Sequence, residues 1–413
     1  MPRAASPDRL STDARKVLLA QALRALAYGF GSVHLGLVLE ARDWSTARIS
    51  VFLTATVAGL ALMTVLVGRY GDRLGRRRCY AGLFVALGAV GVALATTDRV
   101  ELLLPLVLTG VLSTEVVESG PFTSLEQAML ASELRHHRLA AGFSIYNATA
   151  TMAGSIGALL AGGPHLLQSL LPGPPRDPRL FLIFVPVALL GALVARSLSR
   201  HVEVDHGDRA APRSSLQRSR AAVTRLSFLF AIDAFAGGFV LQTLIVVFLS
   251  RQFDASAEQL GLLFFGIGLI QTASFLTAPL IARRIGLLAT MVVTHIPSNM
   301  CLIALPFAPN LPTAVALLLV RAMLGQMDVP TRQAYVMALV DPEERTAAAA
   351  YTGTARYVAR PVAPLVDAPL QALGAGAGFI VAGVLKTGYD LVLWRWFRRV
   401  PLPVDRPEQA RQT

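Results

Sequence analysis

Two carboxylates three residues apart, Glu115 and Glu118, stand inside a stretch that is otherwise mostly apolar. On a helix that spacing puts both on one face. Two neighbouring carboxylates do not both ionise cheaply, and such a pair suits the uptake and release of a proton. The bland alternative is an ion pair with an arginine that only joins helices. Other charges are set into apolar stretches in the same way: Arg24, Asp233, Arg321, Asp328, Arg356 and Arg360. Arg356 and Arg360 are four apart, again on one face. They either grip an anion through their planar guanidinium forks or neutralise Asp328 and Asp367. Lys386 and Asp390 are also four apart and read as a self-neutralising pair. His34 and His295 are lone histidines on apolar runs and read as satisfied core residues.

The elements that must hold these groups are legible from composition. The chain has 413 residues, 54% hydrophobic and 15% charged, with a mean hydropathy of +0.54. Soluble chains carry about 25% charged residues, so there is too little charge here to cover soluble domains. Apolar runs occur at about 16–39, 48–68, 79–97, 101–128, 138–163, 180–197, 222–250, 258–281, 286–307, 311–339, 346–372 and 375–395. A helical membrane span takes about 20 apolar residues, and backbone in hydrocarbon must pair internally. Twelve runs of this length predict an all-α integral membrane protein of twelve transmembrane helices. They do not fit ten-residue alternating strands. An ionisable group at that depth costs several kcal/mol unless paired or hydrated, so each one marks a site.

The net charge of +12 is unevenly placed. Of the 38 Lys and Arg residues, 26 fall in the tails and in alternate loops, and six (Arg42, Arg48, Arg99, Arg176, Arg179, Arg251) in the other loops. This asymmetry predicts an inner-membrane protein with both termini in the cytoplasm and anionic lipid as the partner of its basic loops. No folded basic module points to nucleic acid. The first run is long for a cleavable signal and holds Arg24, so it reads as a retained span. Cys79 and Cys301 are far apart and read as small buried hydrophobes. No metal-ligand cluster, P-loop, hydrolase elbow or nucleophile–base pair is visible, which argues against an enzyme, a cofactor and ATP-driven work.

A polar stretch at 198–221, with Arg200, Glu203, Asp205, Arg213 and Arg220 among its residues, divides the chain into six runs at 1–197 and six at 222–413. The halves read as a repeat. Asp72-Arg73-Leu74-Gly75 follows the second run and Arg283-Arg284-Ile285-Gly286 the eighth, 211 positions on. Pro121 in the fourth run answers to Pro330 in the tenth, 209 positions on.

Residues 68–78 read Gly-Arg-Tyr-Gly-Asp-Arg-Leu-Gly-Arg-Arg-Arg. This resembles the loop signature between the second and third helices of the major facilitator superfamily: Gly, three residues, Asp-Arg, one residue, Gly, then basic residues. With twelve runs and a mid-chain linker, the resemblance covers nearly the whole chain. It implies two six-helix bundles that rock about a midplane site. It also implies a cytoplasmic latch made by Gly68, Asp72, Arg73, Gly75, Arg76 and Arg77, with Asp72 facing the positive end of a neighbouring helix. The family's central cavity is lined by its first, fourth, seventh and tenth helices. By depth in those runs and the adjoining ones, the expected substrate and proton site is Arg24, Tyr28, Glu115, Glu118, Tyr146, Asn147, Asp233, Arg321, Gln326, Asp328 and Arg356. The fourth run lacks the arginine motif of proton-coupled members, and the Gly-Pro signature of many drug antiporters is absent from the fifth, where Pro164 lies at the helix end.

The expected function is secondary active transport of a small organic molecule across the inner membrane, with protons as the coupling ion and export as the direction. The rivals are uptake of a small organic anion, motivated by the mid-span arginines, and a non-transporting receptor or assembly partner.

Overall fold

Hydrocarbon offers the backbone no hydrogen-bond partner, so the runs close their bonds within themselves. The computed structural model describes residues 11–42, 44–113, 120–133, 139–162, 177–203, 216, 219–340 and 344–400. Every element among them is helical: α1 (Thr12–Ala41), α2 (Thr46–Leu74), α3 (Arg76–Thr96), α4 (Val100–Val107), α5 (Gly120–Glu133), α6 (Leu139–Gly162), α7 (Phe184–Arg196), α8 (Arg220–Gly237), α9 (Gln242–Phe253), α10 (Ala257–Ile285), α11 (Leu287–Ala304), α12 (Leu311–Gly325), α13 (Asp328–Leu339), α14 (Arg345–Ala359), α15 (Val362–Gln371) and α16 (Ala377–Phe397), with short 3-10 turns between some of them. Each predicted run carries helix. Nine segments of the described residues are long and apolar enough to cross a bilayer. Two compact units result, one of Met1–Val38 with Ala55–Asp208 and one of Leu39–Thr54 with Arg209–Thr413.

In the first unit, small residues let helices close on one another. A side chain on Gly157 of α6 would overlap the carbonyl of Leu26 in α1, and one on Gly29 would overlap that of Gly154. Such contacts replace the hydrophobic drive that lipid removes. At one end of α1, His34 is buried and its Nε2 lies 3.0 Å from the Asp177 carbonyl. The Asp177 carboxylate caps the turn Pro178–Ile183. The Arg179 guanidinium beside it holds the Asp177 carboxyl below its ordinary range.

The fourth run is not one continuous helix. α4 stops at Val107, Gly110 turns with φ 65°, and α5 opens on Gly120 with φ 82°. Val111, Leu112 and Ser113 between them are unwound but buried, which is the condition under which irregular backbone is tolerated at membrane depth. α2 makes room for the break, since a side chain on Gly59 would strike Leu108. The tenth run also breaks, between Gly325 and Asp328. In both, the proline of the repeat (Pro121, Pro330) sits in the first turn after the break, where its missing N–H is not needed.

The other repeat landmark is equally regular. α2 and α3 are separated by Gly75 alone (φ 91°), and α10 and α11 by Gly286 alone (φ 86°). A side chain at Gly286 meets nothing within 4 Å, so only the backbone conformation opposes it. Gly286→Ala should therefore cost about 1–2 kcal/mol, read as a lowered melting temperature of the purified protein. An unchanged melting temperature would mean that the hinge relaxes freely.

Candidate functional site

Of the residues predicted from depth, Arg24, Tyr28, Tyr146, Asp233, Asp328 and Arg356 fall into two buried polar centres, one in each unit. In the first, Arg24 of α1 is fully buried and meets Glu126 of α5 as a two-pronged pair, Nε to Oε1 at 2.9 Å and Nη2 to Oε2 at 2.8 Å. The Tyr80 hydroxyl donates to Oε1 at 2.9 Å and the Tyr146 hydroxyl to Oε2 at 2.7 Å. A carboxylate has about four acceptor sites, and all four are filled from α1, α3 and α6. The Arg24 guanidinium also lies 5.0 Å from the Tyr28 ring centre and 5.7 Å from that of Phe122. Its Nη1 and the Oε1 of Gln21 have no partner among the described residues.

Arg24 pairs with Glu126, a residue sequence reading passed over at the end of the fourth run. Tyr28, expected at the same site, is held within the unit as well. It donates to the Val111 carbonyl at 2.8 Å and so satisfies a backbone group that the broken helix leaves open. Asn147 is half-buried on α6, and its carbonyl accepts from Thr151. Glu115 and Glu118 lie outside the described residues.

The second centre is built around Asp233 of α8, which is 3% exposed. Lys386 Nζ from α16 donates to its Oδ1 at 2.5 Å, Arg356 Nη1 from α14 to its Oδ2 at 2.8 Å, and Arg332 Nη1 from α13 reaches Oδ2 at 3.5 Å. Arg332 also donates to Asp328 Oδ2 at 2.6 Å, one turn before it on α13. The second Asp328 oxygen has no partner among the described residues. Asp328 opens α13, where the helix dipole favours a negative charge.

Lys386 is not paired with Asp390, contrary to the spacing argument. Asp390 instead takes His295 Nδ1 at 3.0 Å and Asn299 Nδ2 at 2.9 Å, both from α11. The helix that carries Lys386 therefore points its charge into the unit, towards α8. Arg356 neutralises Asp233, and neither Asp328 nor Asp367. Arg321 and Gln326 are half-buried near the end of α12; the Arg321 carbonyl accepts from Ser298. Sequence reasoning missed Arg332, whose signal was its place one turn after Asp328 in an apolar run. Asp233 stands 209 positions after Arg24, and Arg356 stands 210 after Tyr146. The repeat thus places corresponding residues in the two centres with opposite charge at the first position.

The loop at residues 68–78 is organised by another residue that sequence reading did not single out. Glu203 Oε2 accepts from the backbone N–H of Arg76 at 2.7 Å, and Oε1 from that of Arg77 at 3.3 Å. The Arg76 and Arg77 side chains donate to the carbonyls of Val202 and Arg196. The anion on the positive end of α3 is thus Glu203. Gly68 and Arg73 are exposed, and the Asp72 side chain lies outside what is described. The two cysteines are half-buried thiols outside any disulfide. Among the described residues no cluster could hold a metal ion.

Comparison with known proteins agrees with this architecture. The chain is 26% identical, over 96% of its own length and 96% of the other, to the uncharacterized membrane protein YJR124C of Saccharomyces cerevisiae. Among solved structures it is similar to the nucleoside transporter NupG, with a TM-score of 0.70 at 14% identity over 94% of this chain and 99% of that one. It is similar to the human organic anion transporter MFSD10 (TETRAN), with a TM-score of 0.64 at 20% identity over 94% and 100%. A bacterial homolog of the human lysosomal transporter Spinster gives a TM-score of 0.70 at 14% identity over 96% and 99%. At these identities the structures speak for the fold alone. The profile of the Major Facilitator Superfamily matches residues 17–364, and with the broken helices and the glycine-hinged loops in place, the chain belongs to that superfamily of multi-pass membrane transport proteins.

Proposed function

We propose that the chain is a secondary active transporter that carries a small organic anion together with protons, by alternating access, in the cytoplasmic membrane with both termini inside. Asp233 carries this reading. One buried carboxylate is held by cations from α13, α14 and α16. A proton on Asp233 removes the negative charge that these cations share. Uncompensated charge in a poorly polarisable interior is costly, and a solute anion relieves it by taking the carboxylate's place. Arg356 is the group best placed to receive that anion, with 21% of its side chain exposed against 10% for Lys386 and 6% for Arg332. Its fork suits a carboxylate or phosphate. Proton and anion load together, so they travel in the same direction. Basic loops on one side support the assigned orientation.

Export of an amphipathic molecule by proton antiport is the second reading, favoured by the Glu115 and Glu118 spacing. There proton and solute compete for one carboxylate. The two readings separate in proteoliposomes offered small carboxylates and organic phosphates on one hand and alkylamines on the other. An acid-outside gradient should drive anion uptake, and Arg356→Ala should abolish the driven component. If instead the gradient expels an amine, and Glu115→Gln or Glu118→Gln flattens the pH dependence, the anion reading is wrong.

A further inference from the structure

The second unit contains a polar feature that the Asp233 centre does not use. At the end where α9 leads to α10 and α15 leads to α16, a cleft of about 60 Å³ opens, room for about four waters or an equally small headgroup. Asp367 of α15 lines it and is only 4% exposed. Its Oδ2 accepts from Gln371 Nε2 at 2.7 Å, and among the described residues no cation pairs with it. The other oxygen lies against Gly378 of α16, where any side chain would collide with it. The wall beside this carboxylate is aromatic and apolar. Phe248 and Phe379 both line the cleft and stand edge to face, 5.1 Å between ring centres, with Leu244 next to them. Arg251, exposed, stands among the lining residues.

A buried carboxylate without its own cation is expensive, and aromatic rings attract cations. Joined in one cleft, they form the recognition chemistry of an organic ammonium. We propose that this cleft binds a small primary ammonium, its N–H groups donating to Asp367 and to the Gln371 side-chain carbonyl, and its short carbon chain lying against Phe248, Phe379 and Leu244. Gln371 spends its amide N–H on Asp367, which leaves that carbonyl to accept. The cleft shares no residue with the Asp233 centre, so it stands or falls apart from the transport reading.

The test is thermal melting of the purified full-length protein in detergent, titrated with n-propylammonium chloride against sodium chloride at equal ionic strength, and with β-alanine as the zwitterionic counterpart. Propylammonium should raise the melting temperature saturably beyond sodium chloride. Asp367→Asn should weaken that binding at least about tenfold, the loss of one charge-assisted hydrogen bond. Arg251→Ala should tighten it by removing a like charge, and this variant alters only an exposed residue should Asp367→Asn fail to fold. The proposal is overturned if propylammonium gives no shift beyond sodium chloride, or if Asp367→Asn binds as well as the parent. It is equally overturned if β-alanine binds tighter than propylammonium and Arg251→Ala weakens it, since the ligand is then a zwitterion.

Discussion

Glu126→Ala is expected to destabilise the first unit by about 3–5 kcal/mol, the cost of leaving one member of a buried pair uncompensated. Arg24 is fully buried and its main-chain surroundings are helical, so water cannot replace the lost carboxylate without opening the packing of α1 against α5 and α6. Tyr80 and Tyr146 lose their acceptor at the same time. The measurement is the melting temperature and the folded yield of the purified protein. Pairing the change with Arg24→Met should recover part of the loss, because no charge is then stranded, while the space of the glutamate stays unfilled. A coupling energy near zero in that double-mutant cycle would mean that Arg24 finds another anion and that Glu126 is not its partner.

The second large effect is an asymmetry within the Asp233 centre. Asp233→Ala leaves Lys386 and Arg356 without the carboxylate that joins them, and again about 3–5 kcal/mol should be lost. Lys386→Met leaves Asp233 still held by Arg356 and Arg332, and its long apolar stem fills the space of the lysine stem. It should cost roughly 1–2 kcal/mol, near that of one lost charge-assisted hydrogen bond. The ratio between the two melting-temperature shifts is the readout. Equal losses would show that Lys386 is the only cation that matters to Asp233. Under the proposed coupling, transport should fail in both variants, in Lys386→Met because a proton taken up by Asp233 would no longer be set against the same cations.

Scarcity of charge made the runs readable, and the structure places helix in every one of them. Gly75 was readable too, as a turn residue of the short loop after the second run, and Gly286 as its counterpart in the repeat. The breaks at Gly110 and between Gly325 and Asp328 were not, since a uniformly apolar stretch carries no periodicity to interrupt. The same uniformity hides how a helix is turned about its own axis. Depth singled out Asp233, Asp328 and Arg356, and each is buried or half-buried, but depth does not say what each one faces. Lys386 and Asp390 share a helix face at i,i+4, yet each finds a nearer partner on a neighbouring helix. Glu126 sat beyond the pair Glu115 and Glu118, which drew attention by spacing, and only packing reveals that it takes Arg24.

The opposite signs at Arg24 and Asp233 have a consequence for how such a chain diverges. If both descend from one ancestral position, a lineage cannot pass from arginine to aspartate by a direct exchange without stranding a lone ion in hydrocarbon, together with whatever counter-ion faced the original. The passable route runs through a neutral stage, with an amide or an aliphatic side chain there while the facing groups are rebuilt. Distant kin carrying glutamine, asparagine or methionine at these two places would be the living record of that detour.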